Sequence, residues 1–286
     1  MRRWKWKLAH GCELELGSSA VIMGILNVTP DSFSDGGRHE GLEQAVDAAL
    51  RMREAGAAII DVGGESTRPG ADPVDAQTEQ SRVLPVIEAL AKLPGLIISV
   101  DTYRAQTARR AVERGAHIVN DVWGLQKEPA IAEVAAETGA GLVIMHNGRE
   151  RDKRADVIDD QFIFLQRSLE IAHEAGVQDE QIALDPGFGF AKDEQENLAL
   201  MARFAELQRL ERPVAVGLSR KRFIGSVTGR DTADRDIATA ATSALLRMQG
   251  AAIFRVHDVS ANVDALRMAD AVMAAGRKED ACTRSD

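Results

Sequence analysis

Eight short apolar runs constrain the fold of this chain more than any other feature. They are Val21–Leu26, Ala57–Val62, Leu96–Val100, Ala116–Val119, Gly141–Met145, Gln181–Leu184, Pro213–Gly217 and Ala251–Val256. The runs are nearly continuous rather than alternating, which is the pattern of parallel strands covered on both faces. Each ends in a polar or glycine-rich segment, and a stretch with helical period follows. Leu42, Val46, Ala49 and Met52 share one stripe, as do Phe162, Leu165, Leu169 and Ala172. Further along, Ile237, Ala240, Ala244 and Met248 form another, and Val263, Leu266, Ala269 and Met273 the last. Several strands follow a glycine-bearing turn, at Gly56, Gly115, Gly139 and Gly250, as expected of helix C-termini. Eight strands alternating with helices predict an α/β chain, a single (β/α)8 TIM barrel, rather than a doubly wound open sheet.

The chain has 286 residues, enough for one large domain of this kind. No linker, repeat or low-complexity tract divides it. Residues 1–20 fall outside the strand–helix pattern, and Trp4-Lys-Trp6 and Glu13–Leu16 alternate in a way that predicts a hairpin over the barrel floor. The catalytic domain is expected over residues 21–276, with a flexible tail at 277–286. Hydrophobic residues make up 45% and charged residues 28%, a balance that supports a core and excludes wholesale disorder. A net charge of −9 offers no broad field for nucleic acid, though a local anion site is compatible with it. Cys12 and Cys282 are the two cysteines, so neither a disulfide framework nor a thiolate metal cluster is expected. No run reaches the ~18 apolar residues of a membrane span, and no apolar leader follows the basic start. A cytoplasmic protein is expected.

In a barrel of this type, active groups follow the strands at the C-terminal face. Polar residues stand at all eight strand ends. The first and second strands lead into long glycine-containing loops, expected to be mobile, which carry Phe33, Asp35, Thr67, Arg68 and Pro69. Arg255 and His257, two apart on the last strand, face the same way. With Asn27, Thr67 and Arg68 they are suited to phosphate oxygens, because arginine offers a planar fork and histidine a directional donor. An ion pair of Arg255 with a rim carboxylate such as Asp258 is the plainer alternative. Asp101, Asn120, Asp185 and Lys221 come from four other strand ends. Two carboxylates, an amide and an ammonium fit the polar edge of a flat heterocycle, with Met145, Phe188 and Phe190 as apolar faces. Here too plainer roles stay open. Asp185 precedes Pro186-Gly187 as turn carboxylates commonly do, Asp101 and Lys221 balance each other in charge, and Asp101 or Asp121 suits a helix cap.

These segments resemble the dihydropteroate synthases. The matching stretches are Gly24-Ile-Leu-Asn-Val-Thr-Pro-Asp-Ser-Phe-Ser-Asp-Gly-Gly37 and Asp61-Val-Gly-Gly-Glu-Ser-Thr-Arg-Pro-Gly70, then Asn120-Asp121, Met145-His146, Asp185-Pro-Gly-Phe-Gly-Phe190, Ser219-Arg-Lys221 and Arg255-Val-His257. They occur in family order and cover the chain from about residue 4 to 275. The resemblance implies condensation of (7,8-dihydropterin-6-yl)methyl diphosphate with 4-aminobenzoate to 7,8-dihydropteroate and diphosphate, a step of folate biosynthesis that sulfonamides block. It implies pterin binding by Asp101, Asn120, Met145, Asp185, Phe190, Gly217 and Lys221. Diphosphate falls to Asn27, Thr67, Arg68, Arg255 and His257, with Mg²⁺ as cofactor touching Asn27. The 4-aminobenzoate slot falls to Phe33, Pro69, Phe190, Ser219 and Lys221. Asn27, Asp35, Arg68, Lys221, Arg255 and His257 are the implied catalytic set, and a homodimer is the implied assembly. The chemistry so implied is an SN1-like displacement without a covalent enzyme intermediate. Two rivals share the barrel: a pterin-dependent methyltransferase of the corrinoid type, and a catalytically silent pterin-binding paralogue. The diphosphate clamp of Thr67, Arg68, Arg255 and His257 argues against the first, and the intact Asn27, Lys221, Arg255 and His257 argue against the second. The chain departs from the common family pattern at Asn147, at Ala191 and in the charged stretch 149–154.

Overall fold

A computed structural model describes residues 2–28, 38–65 and 74–282. The chain opens on an antiparallel hairpin of β1 (Trp4–Lys7) and β2 (Glu13–Leu16), in which Trp4 faces Leu16 and Trp6 faces Leu14. Eight parallel strands follow: β3 (Val21–Asn27), β4 (Ile59–Gly63), β5 (Ile97–Asp101), β6 (Ile118–Asp121), β7 (Gly141–Met145), β8 (Ile182–Asp185), β9 (Ala215–Val216) and β10 (Ile253–Val256). Their order is β8-β7-β6-β5-β4-β3-β10-β9. A parallel bridge between Leu184 and Val214 joins the two ends, so the expected barrel closes at the β8–β9 seam.

That seam is the thinnest part of the wall. The expected strand over 213–217 has only Ala215 and Val216 in regular pairing. Pro213 has no N–H to give to a ladder. Its carbonyl still accepts from Leu184 N at 2.9 Å, while Val214 O accepts from Ala252 N at 2.8 Å. These two carbonyls help tie the short strand to both neighbours.

Helices separate the strands: α1 (Arg38–Ala55), α2 (Ala76–Leu90), α3 (Ala105–Glu113), α4 (Ala130–Thr138), α5 (Val157–Glu174), α6 (Glu194–Ala202), α7 (Arg222–Thr228), α8 (Asp236–Met248) and α9 (Val259–Cys282). The simple alternation breaks once, where the short α7 precedes α8 after β9. Asp75, Asp156 and Asp193 cap α2, α5 and α6 by accepting backbone N–H groups of the first turn. Gly115, between α3 and β6, has φ +106°, and a Cβ there would come within 2.5 Å of Ala91 Cβ. α9 continues to Cys282, beyond the expected domain end at 276. No helix among the described residues is long and apolar enough to cross a membrane.

One expected stripe is wrong. On α8 the buried face is Thr239, Ala240, Ser243, Leu246 and Arg247, whereas Ile237 is 84% and Met248 55% exposed. Polar contacts decide this orientation. Ser243 donates to Asn262 Oδ1 on α9 at 2.8 Å, and the Arg247 guanidinium reaches Asp270 Oδ1 at 2.6 Å and Ala251 O at 2.9 Å. Satisfied buried polar groups hold the helix, and Ile237, Leu245 and Met248 are left outside while Leu246 is buried.

The apolar core has two parts. The larger lies between the helices and the outer face of the barrel. The smaller fills the barrel's lower interior, where Trp6, Leu8 and Leu16 of the hairpin pack under Met23, Ile59, Ile118, Val143 and Ile253. The hairpin therefore plugs the floor, as expected. The indole N–H of Trp6 donates to Gln181 O at 2.8 Å, which satisfies its one polar atom inside that plug. Trp6→Ala should lower the unfolding free energy by about 3–5 kcal/mol, a large-to-small cost increased by the orphaned Gln181 carbonyl. Urea unfolding followed by circular dichroism would show this, and an unchanged midpoint would exclude the plug role.

Candidate active site

Above the apolar floor, the same inward-facing positions turn polar. Strand period two carries Ile59 to Asp61 and Gly63, Ile97 to Ser99 and Asp101, Ala183 to Asp185, and Ile253 to Arg255 and His257. Register places Asp61 beside Ser99, Gly63 beside Asp101, and Asp101 beside Asn120. Arg255 crosses this layer. Its Nε donates to Asp61 Oδ2 at 2.6 Å and its Nη2 to Asp101 Oδ2 at 2.7 Å. Asn120 Nδ2 donates to the same Asp61 oxygen at 3.2 Å. The ion-pair alternative for Arg255 is thus realised, but with carboxylates of the barrel interior. Asp258 instead accepts Ala261 N at 3.0 Å, near the start of α9.

On the opposite wall, Asp185 Oδ1 accepts Gly187 N at 2.7 Å, so this carboxylate does serve its turn. Its Oδ2 faces the space over Gly217, where a Cβ would lie 3.6 Å from that oxygen and 3.9 Å from Arg255 Cβ. Lys221 stands with Nζ 4.2 Å from the Phe190 ring centre. Phe190, Met145 and Val122 form a small apolar cluster with Tyr103 and Trp123 packed against it. The last strand ends at a coupled pair, His257 Nδ1 lying 2.9 Å from Ser219 Oγ. Asn27 ends β3 at half burial, and its Oδ1 and the Asp101 side chain flank the missing Cβ of Gly63 at 3.7 and 3.5 Å.

The structure thus brings Asn27, Asp101, Asn120, Met145, Asp185, Phe190, Gly217, Ser219, Lys221, Arg255 and His257 to one end of the barrel. Phe33, Asp35, Thr67, Arg68 and Pro69 lie outside the described residues. Phe188 is a correction. Rather than facing the mouth, it is wholly buried behind the loop, 6.1 Å from the Phe223 ring in a stacked pair. Asp121 is confined to its turn, accepting Trp123 N at 2.8 Å and Leu125 N at 2.6 Å. Asp61 was missed, although an isolated carboxylate in phase with the inward residues of a buried strand is a readable signal. Ser99 is its neighbour, and Asp61 Oδ1 and Ser99 Oγ are buried without a partner among the described residues.

Burial governs the charges here. It raises Asp101 to about 7, although Arg255 pulls the other way. It raises Asp185 to about 6 against the pull of the Gly187 N–H. It lowers Lys221 to about 8, with Arg255 adding to the effect. For Arg255, burial disfavours the charge, but Asp61 and Asp101 hold it more basic than an ordinary arginine. Such groups are poised near neutrality and pay a desolvation cost that a hydrogen-bonding ligand would offset. No cluster of three or more His, Cys, Asp or Glu among the described residues is arranged to hold a metal. A single amide oxygen from Asn27 fits magnesium only in the mode where substrate phosphates and water supply most ligands.

A barrel mouth that sets buried carboxylates, an amide and a lysine beside a cationic strand end is compatible with a pterin enzyme. Residues 23–257 match the pterin binding enzyme family, and the chain belongs to that family, among the dihydropteroate synthases, which are transferases. It is 47% identical over 263 residues to dihydropteroate synthase of Bacillus subtilis (strain 168), covering 92% of each chain. Dihydropteroate synthase of Xanthomonas albilineans, solved with 4-aminobenzoic acid, superposes with a TM-score of 0.89 at 42% identity, covering 94% of this chain and 99% of that one. The Clostridium difficile enzyme, solved in the presence of pteroic acid, gives 0.87 at 45% identity, with 90% and 98% covered.

The Arg255 cluster makes a stability prediction. Arg255→Ala should cost about 3–5 kcal/mol, because it leaves buried carboxylates uncompensated. Adding Asp61→Asn should restore part of that loss, and the coupling is read from urea unfolding of the single and double variants. Strict additivity would show that the two side chains do not act as a pair.

Proposed function

We propose that this barrel mouth joins (7,8-dihydropterin-6-yl)methyl diphosphate to 4-aminobenzoate, forming 7,8-dihydropteroate and releasing diphosphate. The observation that carries the reading is the juxtaposition, within one mouth, of Asp101, Asn120, Asp185 and Lys221 with Arg255 and the His257–Ser219 pair. The two solved relatives with pteroic acid and 4-aminobenzoic acid support it. In this reading the pterin lies against Met145 and Phe190, in the space left by Gly217. Its N–H groups donate to Asp185 and Asp101, and Asn120 and Lys221 meet its remaining polar edge. Diphosphate oxygens meet Arg255, His257 and Asn27, joined by Thr67 and Arg68. The aminobenzoate ring lies between Phe190, Ser219 and Lys221, joined by Phe33 and Pro69. Magnesium, held by Asn27 together with the diphosphate, would neutralise charge on the leaving group.

The C–O bond to diphosphate breaks and its electron pair departs with the oxygen. The electron-rich dihydropterin carries the resulting positive charge at its exocyclic methylene, an SN1-like course. The lone pair of the aromatic amine then forms the C–N bond, and an N–H proton passes to diphosphate or water. The amine is neutral at pH 7, so no strong base and no covalent enzyme intermediate are required. Preorganised cations do most of the work by meeting charge as it develops on the leaving group, and Asp35 is assigned to the developing cation.

Purified protein with both substrates and Mg²⁺ should release diphosphate and form pteroate in equal amounts; release without pteroate would overturn the reading. Asp185→Asn should weaken a phosphate-free pterin analogue by about 1.5–3 kcal/mol, the worth of a hydrogen bond to a charged group. The pH dependence follows from the sign of the shift. Asp185 is raised to about 6, so binding that needs the carboxylate is complete above that pH and fails as pH falls through it. Near pH 6, wild-type binding should release protons, seen as a buffer-dependent enthalpy that Asp185→Asn diminishes. Equal affinity of the two proteins would remove Asp185 from the site.

We also propose a cytoplasmic homodimer. The support for the dimer is the set of exposed large apolar side chains on α7, α8 and α9: Val227, Ile237, Leu245, Met248, Met268 and Val272. Ile237→Glu with Leu245→Glu should yield a folded monomer in sedimentation equilibrium. A wild-type monomer at micromolar concentration would exclude the assembly.

A further inference from the structure

Asp185 heads a segment, residues 185–193, that folds around a buried ammonium. Lys192 Nζ donates to Gly187 O at 2.9 Å and lies 2.9 Å from His146 Nδ1, at the end of β7. Lys192 is only 9% exposed. An ammonium has donors alone, so His146 Nδ1 accepts from a charged Lys192, and the ring proton belongs on Nε2, which lies 2.9 Å from Asp160 Oδ2 on α5 and also 2.9 Å from Arg151 Nη2. The Arg151 guanidinium converges on the same carboxylate. From the other side, Asn197 on α6 accepts Gly189 N at 2.8 Å and donates to Lys192 O at 3.1 Å.

The two direct partners of this cation, a carbonyl and a neutral imidazole, carry no charge. An uncompensated buried ammonium is strongly disfavoured, so its balance comes from carboxylates at longer range. Asp185 is the strongest of these, followed by Asp160 and Glu196, with Lys153 opposing them. Asp185 in turn faces Lys221 from the β9 end and Arg255 from β10, besides Lys192. Lys192 stands behind the pterin wall, and its ammonium is coupled to the carboxylate that wall presents.

We infer that Lys192 is a positioning residue for pterin recognition, which fixes the Gly187 turn under Asp185 and keeps the Asp185 carboxylate anionic. The inference rests on the reading of Asp185 as a pterin acceptor. Burial lowers Lys192 itself to about 7, with Asp185 the main opposing influence, so the two groups are matched near neutral pH.

The test uses the full-length protein and a phosphate-free pterin analogue, with affinity measured by calorimetry from about pH 5.5 to 8.5. Lys192→Gln keeps an N–H donor without the charge. It should move the acid limb of binding upward by up to about half a pH unit, which is about a threefold loss at the acid end and little above pH 8. Lys192→Met loses the donor as well and should add a loss at every pH. Affinity for inorganic diphosphate should stay within about twofold of wild type in both. In an Asp185→Asn background, Lys192→Gln should change pterin affinity less than about twofold. If Asp185→Asn alone leaves affinity unchanged, the pterin reading of Asp185 falls and the inference with it. If Asp185→Asn weakens binding while Lys192→Gln leaves the acid limb in place, the inference alone falls. An equal loss from Lys192→Gln with or without Asp185 would make Lys192 a general structural staple. Nitrogen NMR of the wild-type protein gives a readout independent of variant folding. The His146 proton should sit on Nε2 alone, and a proton on Nδ1 would overturn the arrangement.

Discussion

Arg255, held between Asp61 and Asp101, is the interaction on which the upper half of this barrel depends. The lower half closes on apolar contacts and the hairpin plug. Above it, the interior is filled by charge, and a guanidinium against two carboxylates is what makes that layer tolerable in a closed barrel. Because Arg255 touches carboxylates on β4 and β5, it also joins the two functions proposed for the mouth. The cation suited to diphosphate is the one that restrains Asp101 beside the pterin space. Arrival of an anion at Arg255 would therefore be felt electrostatically at Asp101, without any movement of the strands.

The charged stretch after β7 shows how the outer frame supports this interior. Its residues are bound to their surroundings. Arg151 reaches Asp160 and Asn147 O, the latter at 2.9 Å, and Lys153 joins Glu196 at 2.7 Å and Ala191 O at 2.7 Å. Asn147 ties the same loop to β6 by donating to Val122 O at 2.8 Å. Ala191 sits at φ +51°, a conformation that glycine adopts without strain. Its carbonyl is held by Lys153, so positions 147, 191 and the 149–154 stretch form one connected set. Together they link the β7 and β8 ends, the side of the mouth that carries Met145, Asp185 and Phe190.

Much of this was legible in the amino-acid order. Continuous apolar runs reveal parallel strands because burial on both faces leaves no polar position, and the residue after each run reveals the mouth. Asp101, Asn120, Asp185, Lys221, Arg255 and His257 were readable as a set for that reason. The orientation of α8 was not. Its apolar period runs through Ile237 and Met248, whereas its placement follows from Ser243 and Arg247 finding partners on α9 and beyond. Phe188 was misplaced for a related cause, since alternate residues of an irregular loop follow no fixed period and its ring found the Phe223 pocket instead.

Strand number, the inward phase of each strand and the types of group at the mouth were determined by the sequence alone, because period and burial are local properties of the chain. Pairings across the barrel were decided only by tertiary structure. Arg255 meets Asp61 and Asp101 across 194 and 154 residues of chain, and Lys192 meets His146 across 46. No local rule selects among so many carboxylates and bases. The choice is made when the wall closes and brings particular side chains within hydrogen-bonding distance, in an interior where an unpaired charge is too costly to leave alone.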